Sequence, residues 1–389
     1  MLPFARMVKY GNRAPTPNIS KILTPTTSNY SAIIILYDNG ELWGIGGGGS
    51  GAGSNYIFGD GDVRTNRTTW TLIRSNVKNA WCSFGRFILL QTKTDEFLSC
   101  STTTYAFGGV SSFSNVYVDR TSYFSSVFTE EQLNNIKDIH VWVDNIIIHF
   151  NDGSAYGMGR NANGTLGTGN TSAVTKFTLI STDVKKICIA ADNGTWILKN
   201  NNTLFRCGIN NNGQLGTGNT TALTTFTEYT KASYTVSDIM VSYYGTYMVL
   251  RNTTTSVDEM WVCGNRIAGN LGNGVSASGN VVNPTLIAFD MGTDYKLYPV
   301  YSEGYFGIGI KKSDGLYGTG GNYTTRLGSN PNPTLTFSLI PNSLTDSDDF
   351  ISMSYNLTAI VRSNGVMYTG INPTSDTLTG SFVTLQTPK

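Results

Sequence analysis

Few residues in this chain are able to do acid–base chemistry. Among 389 residues there are only two histidines, His140 and His149. A catalytic centre needs an acid, a base, a nucleophile or a metal held in a pocket. Nine positions separate the two histidines, so they would lie on opposite faces of a continuous strand, and Asp144-Asn145 predicts a turn between them. We therefore expect structural or surface roles for both.

The acidic and glycine-rich motifs also favour structure over catalysis. Glu130-Glu131 are adjacent at a predicted short turn, where two carboxylates do not face one sugar ring, so glycosidase action is not favoured. Asp152-Gly153 and Asp314-Gly315 are typical of hairpin turns. The stretch Gly46–Gly53 lacks the Gly-Lys-Ser/Thr ending and the following helix of a phosphate loop, so it predicts a flexible loop. We expect no catalytic residue, no cofactor and a protein that is not an enzyme.

The cysteines give no sign of a metal site. They are odd in number and widely spread, with no Cys-x-x-Cys pair and no neighbouring histidine. The five cysteines are Cys82, Cys100, Cys188, Cys207 and Cys263. This pattern predicts buried free thiols and no bound metal.

Composition narrows the class of protein. Charged residues make up 14% of the chain, aromatics 12%, and the formal net charge is +1. No Lys/Arg run is present, so the electrostatic footprint of a nucleic-acid binder is missing. No stretch approaches the roughly 18 apolar residues of a membrane span, and the first residues lack a secretory signal. We expect a soluble, turn-rich protein made in the cytoplasm, without nucleic acid or membrane insertion.

An internal repeat organises the chain. Residues 156–171 (YGMGRNANGTLGTGNT) recur about 50 residues later at 205–220 (FRCGINNNGQLGTGNT). Looser copies lie at 42–61, 261–274 and 316–328, a truncated copy lies at 366–370, and a copy near 97–100 has lost its glycines. The repeats make about seven units.

Each unit predicts four short strands. An apolar run and an Asn-Gly or Asp-Gly hairpin precede each centre, as at Asn151-Asp152-Gly153, and a short strand such as Phe177–Ile180 follows it. Four strands per period are the content of one propeller blade. The sequence therefore predicts a closed all-β, seven-bladed propeller, in which Phe382–Leu385 shares a blade with Ile19–Leu23.

The repeat resembles that of the regulator of chromosome condensation family, whose signature is an apolar strand, a D-G turn, an aromatic strand ending in Gly, and N-x-x-G-Q-L-G-x-G. Residues 210–218 match this core almost fully and residues 161–169 nearly so. The resemblance covers residues 19–385 and implies a propeller with four-stranded antiparallel blades. Leu166 and Leu215 are expected to fill the core between blades. Founding members of the family exchange nucleotide on a small GTPase and contact chromatin, but this chain lacks the basic tail that chromatin contact requires.

Two segments depart from the repeat. The second unit replaces its glycines by aromatic residues among serines and threonines, which suits a contact surface; the alternative is a locally expanded blade core. These candidate binding residues are Tyr105, Phe107, Phe113, Tyr117, Tyr123 and Phe124. Residues 1–18 predict an extended arm before the propeller at 19–389, and the arm either docks on a partner or is disordered. Its candidate contact residues are Phe4, Arg6, Met7, Tyr10 and Arg13.

Low charge, polar uncharged composition, the arm and the degenerate ring together suggest a structural protein of a bacteriophage virion. The leading hypothesis is a tail, baseplate, fibre or capsid-surface component that binds other virion proteins through the arm and presents loops to a host receptor. The alternative is a cellular scaffold or a guanine-nucleotide exchange factor for a GTPase, and a surface-polysaccharide hydrolase comes third.

Overall fold

The fold is known from a computed structural model. It describes residues 17–27, 30–47, 58–61, 65–83, 87–109, 112–142, 144–189, 194–301, 306–321, 326–327, 332–341, 351–354, 357–362, 365–373, 375 and 378–388.

Within these residues the strands form seven successive sheets, or blades, each with its strands in chain order. Blade 1 contains β1 (Ile19–Leu23), β2 (Thr26–Thr27), β3 (Tyr30–Tyr37), β4 (Leu42–Gly46) and β5 (Arg67–Arg74). Blade 2 contains β6 (Val77–Ser83), β7 (Phe87–Thr92), β8 (Phe97–Thr104) and β9 (Ser112–Asp119), and is followed by α1 (Thr121–Ser125) and α2 (Glu130–Asn134). Blade 3 contains β10 (Ile136–Val141), β11 (Asn145–Phe150), β12 (Ala155–Gly159) and β13 (Val174–Ser181), with a 3₁₀ turn at Ala162–Gly164.

Blade 4 contains β14 (Val184–Ile189), β15 (Gly194–Lys199), β16 (Leu204–Gly208) and β17 (Leu223–Tyr229). Blade 5 contains β18 (Tyr234–Val241), β19 (Gly245–Asn252), β20 (Asp258–Asn265) and β21 (Asn280–Asp290), with a 3₁₀ turn at Ile267–Gly269. Blade 6 contains β22 (Tyr295–Tyr298), β24 (Phe306–Lys312), β25 (Gly315–Gly320) and β26 (Thr334–Leu339). Blade 7 contains β23 (Val300–Tyr301), β27 (Ile351–Ser354), β28 (Leu357–Arg362), β29 (Gly365–Ile371) and β30 (Leu378–Leu385).

The blades form a ring around a central channel. The first strand of each blade lies next to the first strand of a neighbouring blade in a series that runs from β6 through β10, β14, β18 and β22 to β27 and β1. The strands within each blade pair antiparallel, and the two-residue β23 adds a parallel pair with β27. The predicted all-β propeller with seven four-stranded antiparallel blades is confirmed.

The apolar runs in the second strands are buried on both faces. In β3, Ile34 packs in a cluster shared with blade 2, whereas Ile33 and Ile35 pack in a cluster shared with blade 7. Successive side chains of a strand point to opposite faces, so a blade covered on both sides needs an unbroken apolar run. The turn that ends β3 has Gly40 at φ +90°, a conformation that glycine adopts without steric cost. The sequence thus encodes a blade that needs two neighbours.

The predicted pairing of the terminal strands is wrong. β1 pairs with β3 inside blade 1, whereas β30 pairs with β29 inside blade 7. Each terminal blade is a complete five-stranded sheet, so the ring closes by contact between the two blades. At this seam Thr24 Oγ1 lies 2.7 Å from Ser352 Oγ, and Trp70 Nε1 donates to the carbonyl of Gln386 at 2.7 Å.

The turn predicted at Glu130-Glu131 is the first turn of helix α2. Thr129 caps the helix by accepting from the backbone N–H of Gln132, whose side chain accepts from the Thr129 N–H. Thr-x-x-Gln is a capping-box sequence, so this helix start was visible in the chain. Of the predicted arm, only Pro17 and Asn18 lie within the described residues.

Candidate functional site

The asparagine of the repeat signature holds its own loop together. Asn210 is fully buried, and its Nδ2 donates to Thr217 Oγ1 at 2.9 Å, to the carbonyl of Asn219 at 2.9 Å and to the carbonyl of Thr221 at 3.1 Å. Its Oδ1 accepts from the N–H of Leu215 at 2.8 Å. One amide side chain therefore satisfies four polar groups of the loop.

The same arrangement is built around Asn161 in blade 3. Its Nδ2 donates to one hydroxyl and two carbonyls, and its Oδ1 accepts from the N–H of Leu166 at 2.8 Å. Both leucines are fully buried, which confirms the prediction that they fill the core. The asparagine thus positions the leucine that follows it by five residues.

The signature glycines join each blade to the next. The N–H of Gly169 donates to the carbonyl of Thr224 in the outermost strand of blade 4, and Gly61, Gly218 and Gly274 make the equivalent bond to blades 2, 5 and 6. At Gly167 an added Cβ would lie 2.3 Å from the ring of Phe226, so the loop approaches the next blade too closely for a side chain. The repeat signature therefore forms a joint between adjacent blades.

In blade 2 an aromatic segment replaces the glycine signature and joins this blade to blade 3. Phe107 and Phe124 are buried in a cluster that also contains residues of blades 2 and 3, and Phe124 stacks on Phe97 with ring centroids 3.7 Å apart. Gly108 lies against Thr175 of β13, where the signature loop of another blade would dock. Phe107 and Phe124 therefore fit the second sequence-based alternative, a locally expanded blade core.

The other predicted binding residues have varied positions. Tyr105 is partly exposed beneath the guanidinium of Arg160, 4.8 Å from its ring centre, and Tyr123 is partly exposed against Phe107. Tyr117 is partly buried in the core between blades 1 and 2. The side chains of Phe113, Phe4, Arg6, Met7, Tyr10 and Arg13 lie outside the described residues. A binding role for this set stays a prediction.

The cysteines are free thiols inside the protein. All five cysteines are buried and free, and burial raises the pKa of Cys188 to about 11. Within the part of the chain that the structure describes, no three His, Cys, Asp or Glu side chains are arranged to hold a metal. No helix there is long and apolar enough to cross a membrane.

The central channel holds a polar ring that sequence reasoning missed. In each of blades 1 to 5 the first strand has a β-bulge after its first residues, and the residue that follows the bulge is polar. We call these five residues the channel ring: Lys21, Asn79, Asp138, Lys186 and Asp238. One polar residue per repeat does not form a recognisable sequence motif, so the ring is apparent only from the equivalent positions of the five strands in the structure.

Contacts between neighbouring blades fix this ring. Lys21 Nζ donates to Asn79 Oδ1 at 3.1 Å, and Lys186 Nζ lies 2.7 Å from Asp238 Oδ1. Between these pairs, Trp81 Nε1 donates to Asp138 Oδ1 at 2.8 Å. The oxygens of Asn79, Asp138 and Asp238 also accept the next backbone N–H. The ring side chains are thus held in place from two sides.

The two histidines lie beside this ring, on adjacent strands of blade 3. His149 is buried, and its Nε2 lies 2.9 Å from the carbonyl of Val184; burial lowers its pKa to about 4. Burial also lowers the pKa of His140, against the opposing effect of Asp138. Both imidazoles are therefore neutral at pH 7. Both histidines line the channel; the prediction of a structural role fits His149, which is buried and bonded to the Val184 carbonyl.

The outer rim of the ring is apolar at a repeated position. The outermost strands of five blades each expose one aliphatic side chain directly opposite an aromatic residue of the adjacent strand. We call these residues the perimeter row: Leu72 (45% exposed), Leu179 (49%), Leu286 (48%), Leu339 (48%) and Val383 (39%). Edge strands normally carry charge to prevent association, so this row departs from the usual pattern.

Comparison with known proteins shows the fold. No protein-family model matches the chain, and no curated protein matches it. Among solved structures, human WBSCR16 matches with a TM-score of 0.65 and 14% identity over 90% of this chain and 88% of that one. Prp20p from Saccharomyces cerevisiae matches with a TM-score of 0.62 and 13% identity over 85% of this chain and 80% of that one. These are similar to our chain in fold and are seven-bladed propellers of the regulator of chromosome condensation type.

Proposed function

We propose that this chain is a non-enzymatic structural protein whose propeller rings bind neighbouring copies of the chain through the perimeter row. The observation that carries the proposal is the repetition of an exposed Leu or Val at one position in five blades. Each lies directly opposite an aromatic residue of the adjacent strand, as Leu286 lies opposite Trp261. Such rigid apolar pairs bury further area at little cost in side-chain entropy.

Charge supports association between copies. The chain has 27 basic and 26 acidic residues and a net charge of +1, so two copies repel each other little. Blades 2 and 4 have a charged residue at this position, Asp119 opposite Leu98 and Glu228 opposite Phe205. The contact therefore has two breaks in its circumference, which would limit how many neighbours one ring accepts.

Protein binding is also the activity described for one protein of similar fold. Prp20p was studied for its binding to Gsp1p and histones, and it was also solved in complex with Kap60. A propeller of this type thus serves as a protein-binding platform, which supports the proposal in its general form.

The setting that composition favours is a bacteriophage virion, with the arm at Met1–Arg13 bound to another virion protein. Mass spectrometry of purified particles tests that location, and deletion of residues 2–13 tests the arm. The truncated ring is expected to fold but to lose incorporation into the particle; normal incorporation would remove the anchoring role from the arm. A protein found only in the host cytoplasm would favour the cellular scaffold instead.

Sedimentation velocity of the full chain between 1 and 100 µM tests self-association. We expect a concentration-dependent larger species, and at least tenfold weaker association in the triple variant Leu179→Ser, Leu286→Ser, Leu339→Ser, because each side chain loses apolar contact area. The matched control changes the exposed neighbours on the same strands: Thr178→Ser, Thr285→Ser, Ser338→Thr. A wild-type chain that stays monomeric throughout, or a leucine variant that associates like the control, would refute the proposal.

A further inference from the structure

The central channel is a cavity of about 360 Å³ with a basic lining. Four lysines line it, Lys21, Lys137, Lys185 and Lys186, against one acidic residue, Asp138. The ammonium of Lys185 donates to Asn202, which does not line the cavity, so three ammonium groups and the Asp138 carboxylate leave a formal excess of +2 with both histidines neutral. The pairing of Lys186 with Asp238 reduces the excess to +1. The cavity therefore keeps a net positive charge.

The ammonium groups of this cavity have more N–H donors than partners among the described residues. An ammonium group has three N–H donors. Lys21 Nζ donates to Asn79, Lys137 Nζ donates to the carbonyl of Lys185, and Lys186 Nζ is paired with Asp238. The Oδ1 atom of Asp138 already accepts from Trp81 and from its own strand. Each lysine thus retains donor capacity toward the cavity.

His140 is the group on which these charges converge. Its imidazole lines the cavity and makes no hydrogen bond to another residue within the described part of the chain, whereas its backbone belongs to the β10–β11 ladder. The charged and titratable groups around it are Asp138 on its own strand, Lys137 beside it, Lys21 from blade 1 and Lys186 from blade 4. His149 and the thiols of Cys82 and Cys188 also line the cavity. The three lysines lower the pKa of His140 and Asp138 raises it, after the larger effect of burial.

We propose that the channel binds a small free anion of the phosphate class beside His140. Lysine binds phosphate as a point charge, and a cavity of this size falls within the range of small-ligand sites. Trp81 and Trp142 give the site aromatic walls, and Trp81 already lies under the ammonium of Lys21 at 5.2 Å. The bound anion supplies the acceptors that the lysines lack and favours the protonated form of His140. This site is independent of the perimeter row and of any partner bound there.

The two histidines make the proposal directly testable by NMR. The full chain, labelled in its imidazole rings, is titrated with inorganic phosphate and then pyrophosphate at constant ionic strength. We expect saturable shifts of the His140 resonances, a rise in the pKa of His140 by at least half a unit, and tighter binding of pyrophosphate because it carries more charge. His149 also lines the cavity but has its Nε2 at the Val184 carbonyl, so its resonances should shift less than those of His140.

Charge-neutral variants identify the lysines involved. Lys21→Met should weaken phosphate binding at least tenfold, and Lys137→Met serves as a second variant should Lys21→Met fold poorly. Lys78→Met is the matched control, because it removes the same charge from the adjacent blade at a side chain that pairs with Asp95 outside the cavity. Absence of any His140 shift at 50 mM phosphate, an equal shift with chloride, or unchanged binding by both channel variants would each overturn the proposal.

Discussion

Replacement of Asn210 by alanine tests whether the signature asparagine holds the propeller together. The side chain makes four hydrogen bonds inside its loop and is fully buried. A net hydrogen bond contributes about 1 kcal/mol, and a buried group left without a partner costs about 1–3 kcal/mol. The loss of four bonds, of which the one to the Leu215 N–H lies in the core, is therefore expected to lower the unfolding free energy by about 3–5 kcal/mol.

The assay is urea denaturation followed by tryptophan fluorescence, since Trp196 of the same blade is buried and reports on its integrity. Asn211→Ala is the matched control, because this neighbouring asparagine is exposed and its removal should cost less than about 0.5 kcal/mol. Asn210→Asp tests the acceptor and the donor atoms of the amide separately. It keeps the acceptor for Leu215 but places a carboxylate against the carbonyls of Asn219 and Thr221. An Asn210→Ala variant as stable as the Asn211→Ala control would refute the reasoning.

Two further predictions concern packing and pH. Gly167→Ala should destabilise the protein by about 1–3 kcal/mol more than Gly169→Ala, because both have positive φ but only the first would meet the Phe226 ring; equal urea midpoints would contradict this. The pKa of His149 is about 4 in the fold and roughly 6.5 in the unfolded chain, so the unfolded chain binds the extra proton between these values. The unfolding free energy should therefore fall by about 1–3 kcal/mol as pH decreases from 6.5 to 4, and the loss should be smaller in His149→Gln. An identical pH dependence in the variant would show that His149 is not responsible.

The strands and core residues of a single blade could be predicted from the sequence, but the contacts between blades could not. Leu166 and Leu215 were identifiable as core residues because the glycines around them recur with a fixed spacing. Ring closure was mispredicted because an apolar pattern shows that a strand is buried but does not show which blade it joins.

The aromatic residues of blade 2 show a second limit. Phe107 and Phe124 have the composition of a contact surface, yet they fill the gap left where the glycine signature is absent. Burial of an aromatic side chain depends on what the neighbouring blade supplies. The residues of the channel ring were hidden for a related reason, since Lys21, Asp138 and Lys186 differ in charge and share only their place after a bulge.

The seam between the first and last blades has a consequence for the order of folding. The strands of each blade follow one another in the chain, except that the two-residue β23 of blade 7 precedes β24 of blade 6, and in the described residues no ladder pairs β1 with β30. Each blade therefore forms by closing short loops, and the entropy cost of each closure is small. This favours fast local folding despite the length of the protein. The N-terminal blades are able to form their hydrogen bonds while the rest of the chain is still being synthesised. Contact between blades 1 and 7, through groups such as Thr24 and Ser352, then completes the ring as a final docking step.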